Sequence, residues 1–235
     1  MNKCLSLLLL SVPAAWAVPT HVQHNVTNSG GSTAVSSWST AYSSSNTLGN
    51  TLIVFVTGAP NSSGPSAFGV SDSQGNTWTA ATSLYGLASG NNPIQIFYAS
   101  NCKAGANTVT VTATGDTMFF FTAAVHEYSG LSNSSPVDVT ASANSATGSV
   151  SVGPITTTVA NDLLFVVAAP NTSTTSAGSG FTLRCNLSGF STEDGPAATA
   201  GSYTGTMTTA GGWSAQIVAF KAAVTAVTKG RIWVE

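Results

Sequence analysis

The strongest constraint on this chain is that its two halves resemble each other. The apolar run Leu48–Val56 recurs further along as Val159–Val167, which sets Leu52 against Leu163. Each copy leads on to a second apolar strand that ends in an aromatic, Thr122–Tyr128 in the first half and Ser214–Phe220 in the second. Matching those ends places Val125 against Ile217 and Glu127 against Ala219. Glu127 is then the odd carboxylate in an otherwise apolar repeat. Two similar halves of this kind predict an all-β fold, a two-sheet antiparallel sandwich in which each half supplies strands to both sheets.

The local pattern agrees. No segment sustains apolar residues at i, i+3 and i+4, and short runs are cut at close intervals by turn clusters, the rhythm of an all-β chain. Strands are expected near 35–42, 51–57, 67–72, 76–82, 94–99, 107–114 and 118–128, then near 149–158, 162–169, 181–187, 197–209 and 213–221. Asn107–Thr114 alternates strictly, so one face is core and its four threonines face water. Leu52–Val56 and Met118–Ala124 are apolar on both faces and should be central strands covered on both sides, or strands with a second contact surface. Asp72-Ser73-Gln74-Gly75-Asn76 supplies a tight turn. Strands joined by long cross-connections give a jelly-roll or Greek-key sandwich.

Residues 1–17 read as a secretory signal peptide. Lys3 precedes the apolar stretch Leu5–Val12, and Ala15-Trp16-Ala17 has the small-x-small cleavage pattern. That stretch is too short to cross a hydrocarbon core of about 30 Å, so no transmembrane segment is expected and the protein is placed outside the cell. The division that follows is an N-terminal segment 18–34, a single sandwich domain 35–221 with halves 35–128 and 149–221, and a C-terminal tail 222–235. Residues 129–147 read as a crossover loop. Export also suggests a disulfide between Cys102 and Cys185. It would close a loop of about 84 residues and contribute roughly 4 kcal/mol.

Composition matters for what it excludes. Charged residues make up 6 % of the chain, against roughly 25 % in an average domain. After residue 17 the cations are Lys103, Arg184, Lys221, Lys229 and Arg231, so three of the five fall at or beyond position 221. Nothing here forms the basic patch that nucleic acid requires. Polarity rests instead on 33 Ser and 33 Thr. The five Asn-x-Ser/Thr sites (Asn25, Asn61, Asn133, Asn171 and Asn186) add bulk only in a host that glycosylates them.

The turn Asp72–Trp78, the strand end Glu127-Tyr128-Ser129-Gly130 and the following Pro136-Val137-Asp138 resemble the jelly-roll-like β-sandwich modules of exported bacterial and phage-associated proteins. The resemblance covers most of 48–221. It implies a jelly-roll-like sandwich, an extracellular setting and an accessory or surface role. It brings no catalytic residues with it.

No hydrolytic constellation is visible. The three histidines are His21 and His24, in a segment that reads as a solvated tail, and His126, which alternates away from Glu127 on its strand. Glu193-Asp194 is the one acidic pair and reads as a solvated loop. No cofactor is expected, with one candidate exception: a structural calcium ion on Asp72, Asn76 and Glu127. Trp38, Tyr42, Trp78 and Tyr85 lie near turns and are candidate platforms for stacking on neutral sugar rings. The leading expectation is a secreted, non-catalytic recognition or attachment module for neutral polysaccharide or a cell-surface glycan. The alternative is a structural subunit of a surface layer, filament or virion that self-associates through the tail. A polysaccharide hydrolase comes third.

Overall fold

The structure is a computed structural model that describes residues 15–86, 91–172 and 176–225. Most of the expected signal peptide and the end of the expected tail lie outside them. The described residues form an all-β, antiparallel, sandwich-like arrangement without a helix, in agreement with the fold class read from the sequence. A short β1 (Ala15–Trp16) at the start pairs with a short β18 (Val224–Thr225) at the end. The first half contributes β2 (Thr20–Asn28), β3 (Ser37–Ala41), β4 (Thr51–Pro60), β5 (Ala67–Asp72), β6 (Thr79–Ala80), β7 (Ile94–Ala99), β8 (Thr108–Thr114) and β9 (Met118–Ser129). The second contributes β10 (Val137–Ser145), β11 (Val150–Thr156), β12 (Asp162–Pro170), β13 (Ser176–Ala177), β14 (Thr182–Leu187), β15 (Phe190–Ala197), β16 (Ser202–Thr208) and β17 (Trp213–Phe220).

The allotment of strands to sheets corrects one expectation. The halves do not share two sheets; each builds its own pair. The first has a five-stranded sheet in the order β2-β9-β4-β7-β6 and a three-stranded sheet β3-β8-β5. The second repeats this order strand for strand, as β10-β17-β12-β15-β14 and β11-β16-β13. Chain neighbours largely alternate between the sheets, the interleaving of a jelly roll. Two strands make each half self-sufficient: β2, expected as part of an N-terminal segment, and β10, expected as crossover loop. Both are edge strands, with one ladder to complete and one neighbour to cover them. Polar sequences therefore suffice there.

Three apolar clusters order the layers. Leu52, Val54 and Val56 pack with Phe121, Ala123 and Val125 inside the first half. Leu164, Val166 and Ala168 pack with Ala215, Ile217 and Ala219 inside the second. The third cluster joins the halves: Ile53, Phe55, Ile96 and Tyr128 meet Leu163, Phe165, Val167 and Phe220. The two large sheets thus stack face to face, with a small sheet outside each. This explains why β4 and β12 are apolar on both faces.

The sheet register also sharpens the repeat. Leu52 lies opposite Glu127, and Leu164 lies opposite Ala219. Both Leu52 and Leu164 point into their own half's core. The structural counterpart of Leu52 is therefore Leu164, one position beyond the Leu163 of the sequence match. A one-residue slip exchanges the faces of a strand. The match of Glu127 with Ala219 stands, and Asn50 becomes the counterpart of Asp162.

Candidate functional site

Glu127 sits at the inner end of β9 with no exposure, and four donors close around it. Gln23 Nε2 (2.6 Å) and Asn46 Nδ2 (2.9 Å) donate to Oε2, while the Thr47 amide (2.8 Å) and Asn50 Nδ2 (2.6 Å) donate to Oε1. Burial alone would raise this carboxyl; the donors prevail and hold it below its ordinary value. Asp72 anchors its turn in the same manner. It accepts from the amides of Gln74 (3.1 Å) and Asn76 (3.0 Å) and from the side chains of Asn76 (2.7 Å), Trp78 (3.1 Å) and Asn107 (3.2 Å). The proposed calcium ligands therefore have their oxygens occupied by N–H donors. Asn76 Oδ1 accepts from the Lys103 amide, 2.9 Å away. Among the described residues no group of three or more His, Cys, Asp or Glu is arranged to hold a metal ion.

The four aromatic candidates do not form one platform. Tyr42 is buried in the first half's core and donates to the His126 carbonyl at 3.1 Å. Trp38 and Trp78 are half-buried against the same core, donating to Thr27 Oγ1 (2.9 Å) and Asp72 (3.1 Å). Tyr85 packs against the junction cluster instead, and its hydroxyl accepts from Asn144 at 2.6 Å.

The disulfide is absent: Cys102 and Cys185 are free and buried. Cys102 belongs to the first half's inner core and Cys185 to the junction cluster, so the first half's large sheet stands between them. Burial pushes each thiol up to about 11, which leaves both inert at neutral pH.

The densest polar chemistry lies where the halves meet. His21 and His24, expected in a solvated tail, are on β2, and their rings gather with that of His126 on β9. Ring centroids are 5.2 Å apart for His21–His24, 5.7 Å for His24–His126 and 6.2 Å for His21–His126. Burial, helped by Arg184, lowers His21 to about 4 and lowers His24; burial also holds the enclosed His126 well below its ordinary value. All three are neutral imidazoles at pH 7. Tyr128 Oη donates to Asp194 Oδ2 at 2.5 Å, and Arg184 grips the same carboxylate through Nε (2.8 Å) and Nη2 (2.9 Å). These groups border a cavity of about 420 Å³ between the halves, walled by Val18, His21 and Tyr128 on one side and Asp162, Leu163, Arg184 and Pro196 on the other.

Glu193 and Asp194 correct a second loop assignment. They lie within β15 and are buried on opposite faces. Asp194 faces the junction. Glu193 faces its own core, accepts from the Gly178 amide at 2.9 Å, and is raised to about 7 by burial and by Asp194. Asp162 is likewise buried and raised to about 7, by burial and by the carboxylate of Asp138 beside it. Asp-Gly-Pro inside Phe190–Ala197 looks like a turn in sequence, so the strand and its buried acids were hidden.

The outer faces are uniform by contrast. On β8, Thr108, Thr110, Thr112 and Thr114 face outward, flanked by Ser37, Ser39 and Ser71. On the equivalent β16, Ser202, Thr204, Thr206 and Thr208 do the same beside Ser151, Thr156 and Ser176. Hydroxyls bond across strands, Ser39 to Thr110 at 2.9 Å and Ser176 to Thr208 at 3.0 Å. Gly69 leaves room on this face beside Thr112, whose Oγ1 would have to turn away from an added Cβ 2.6 Å from it.

No family model, no curated protein and no solved structure matches this chain.

Proposed function

We propose that the protein is a secreted, non-catalytic attachment module whose contact surfaces are the two hydroxyl-lined outer faces, and that its ligand is a neutral polysaccharide. The supporting observation is the duplication of the Ser/Thr face itself. The central strand of each small sheet carries four outward hydroxyls in a row, and no Lys, Arg, Asp or Glu interrupts either row. Such a face matches a neutral polyol, which offers hydroxyls at similar density and no charge. Two such faces on one body allow one chain to engage two strands of polymer, so that the second contact benefits from high local concentration.

Retention of the protein on insoluble neutral polysaccharides tests this reading. Thr112→Lys or Thr206→Lys alone should weaken retention on the order of tenfold, the equivalent of about 1.4 kcal/mol. The double variant should abolish it while thermal stability stays within about 0.5 kcal/mol, as expected of surface changes. Failure of the unaltered protein to bind any neutral polysaccharide sinks the proposal.

A subunit role in a surface layer or filament is the second reading, favoured by the pairing of β18 with β1. If export removes residues 1–17, the edge of Val224–Thr225 loses that partner and is free to add to a neighbour's sheet. Sedimentation of the chain with and without residues 223–235 separates the two readings, since only the second requires the tail for assembly.

A further inference from the structure

We propose that Lys221 and Asp138 condense to an intramolecular amide between β17 and β10, with Asp162 as the acid that shuttles the proton. The three residues meet where three adjacent strands of the second half converge. Lys221 directly follows β17, Asp138 sits in the bulge of β10 between Val137 and Val139, and Asp162 opens β12. The Lys221 ammonium lies 3.7 Å from Asp138 Oδ1; the Asp138 side chain is 3 % exposed and that of Lys221 31 %. Thr158 holds the target carboxyl still, its amide donating to Oδ2 and its hydroxyl to Oδ1, each at 2.6 Å.

A simple ion pair would not need Asp162. That residue is fully buried, and among the described residues neither of its oxygens closes a hydrogen bond of ordinary geometry to a donor; the Ala222 amide and the Lys221 charge lower its pKa only in part. A buried carboxylate in that position, next to a second carboxylate, is costly. Burial and the neighbouring Asp138 carboxylate raise Asp162 to about 7, which favours a proton held on Asp162 and shared with Asp138. Nucleophile, electrophile and acid are thus held together, the arrangement that makes condensation intramolecular.

The step balances without a co-reactant. One proton passes from the ammonium to the Asp138 carboxylate, giving a neutral amine and a neutral acid. The amine nitrogen attacks Cγ of Asp138, while Asp162 and the Thr158 donors stabilise the developing oxyanion. The hydroxyl leaves as water, taking the second proton from nitrogen, and Asp162 recovers its own. An N–C bond forms, a C–O bond breaks and one water is lost. In the first half the corresponding positions are Val22, Asn50 and Ser129, which have no amine and no pair of acids.

Intact-mass measurement of the denatured full chain decides the matter. The expected mass is lower than that of the sequence by one water, with a single branched peptide joining the segments that carry Asp138 and Lys221. Lys221→Arg and Asp138→Ala should restore the full mass, and Asp162→Ala should restore it by removing the acid. A wild-type chain at full sequence mass overturns the proposal, as does a missing water that persists in Lys221→Arg. Persistence in Asp162→Ala overturns the role given to that residue. The mass is read on the denatured chain, and a circular dichroism spectrum matching that of wild type, taken before denaturation, shows that each variant had folded and that its mass reports the chemistry.

Discussion

The two halves solve the same structural problem at one position with opposite chemistry. In the first, the end of the central strand pair carries Glu127 opposite Leu52, with Asn50 donating to it at 2.6 Å. In the second, the counterparts are Ala219 and Asp162. The acid has moved to the place of the amide, and the residue that would have met it is a methyl group. Glu127, wrapped by four donors, stays charged. Asp162, beside Asp138 and short of donors, holds its proton far more tightly. A duplicated scaffold therefore holds one carboxyl as a structural hub and another as a group able to carry a proton, and the difference lies in the donors supplied by neighbouring strands.

The sharpest way to break this comparison is to place the first half's acid in the second. Ala219→Glu puts a carboxylate into an unexposed position packed among Leu164, Val166 and Ile217, with none of the donors that serve Glu127. A loss of about 4 kcal/mol or more is expected, the range reached when an unpaired charge is buried. Urea denaturation would measure it, and a variant close to wild type in stability would mean that the second half has donors to offer.

The reverse change is smaller. Glu127→Ala leaves the amides of Gln23, Asn46 and Asn50 and the Thr47 N–H without their acceptor. Each stranded donor costs about 1–3 kcal/mol where it cannot reach water, but Gln23 and Asn50 are only partly buried, so a total of about 3 kcal/mol is expected. Glu127→Gln should recover part of this, because its carbonyl oxygen still accepts.

A third effect follows from titration. The histidines of the first half have folded-state pKa values below 6.5, so the unfolded chain takes up protons first as pH falls, and stability is lost from about pH 6.5 towards 4. Glu193 is raised to about 7, so between pH 7 and the ordinary carboxylate range the folded state takes up the proton first and stability is gained. The halves thus respond to acid with opposite signs. His24→Gln should reduce the fall in melting temperature between pH 7 and 5, and Glu193→Gln should steepen it. The change for the buried Glu193 should be about 2–4 °C, the shift that about 1 kcal/mol gives a chain of this length, and that for the more exposed His24 should be smaller. Identical pH profiles for wild type and both variants would remove the opposition.

Much of the scaffold was legible. The spans 67–72 and 94–99 match their strands, and the alternation of Asn107–Thr114 gives the face of each residue. What escaped shares a physical cause. Strands β2, β10 and β15 are polar because sheet edges and neighbouring donors satisfy their polar groups on burial, and such donors come from parts of the chain distant in sequence. The same cause hid the site. His21, His24 and Glu193 look solvated until the opposing sheet is in place, and the one-position slip between Leu163 and Leu164 hid the counterpart of Asp162. Glu127 was visible because its exception lay within the repeat; the partners of Asp162 lie on β10 and just past the end of β17.

The smallest expected effect concerns the thiols. A disulfide across the first half's sheet would have tied its inner core to the junction, stabilising the fold by roughly 4 kcal/mol through restriction of the unfolded chain. With Cys102 and Cys185 free on either side of that sheet, reductant should leave the urea midpoint unchanged. In the folded protein both thiols should resist alkylation, since each is buried with its pKa pushed up to about 11. In urea both should react without prior reduction. If reductant lowered the midpoint, or if alkylation in urea required it, the two cores would be covalently tied and the halves could not be treated as bodies joined by noncovalent contact alone, the apolar cluster and hydrogen bonds such as Tyr128 to Asp194.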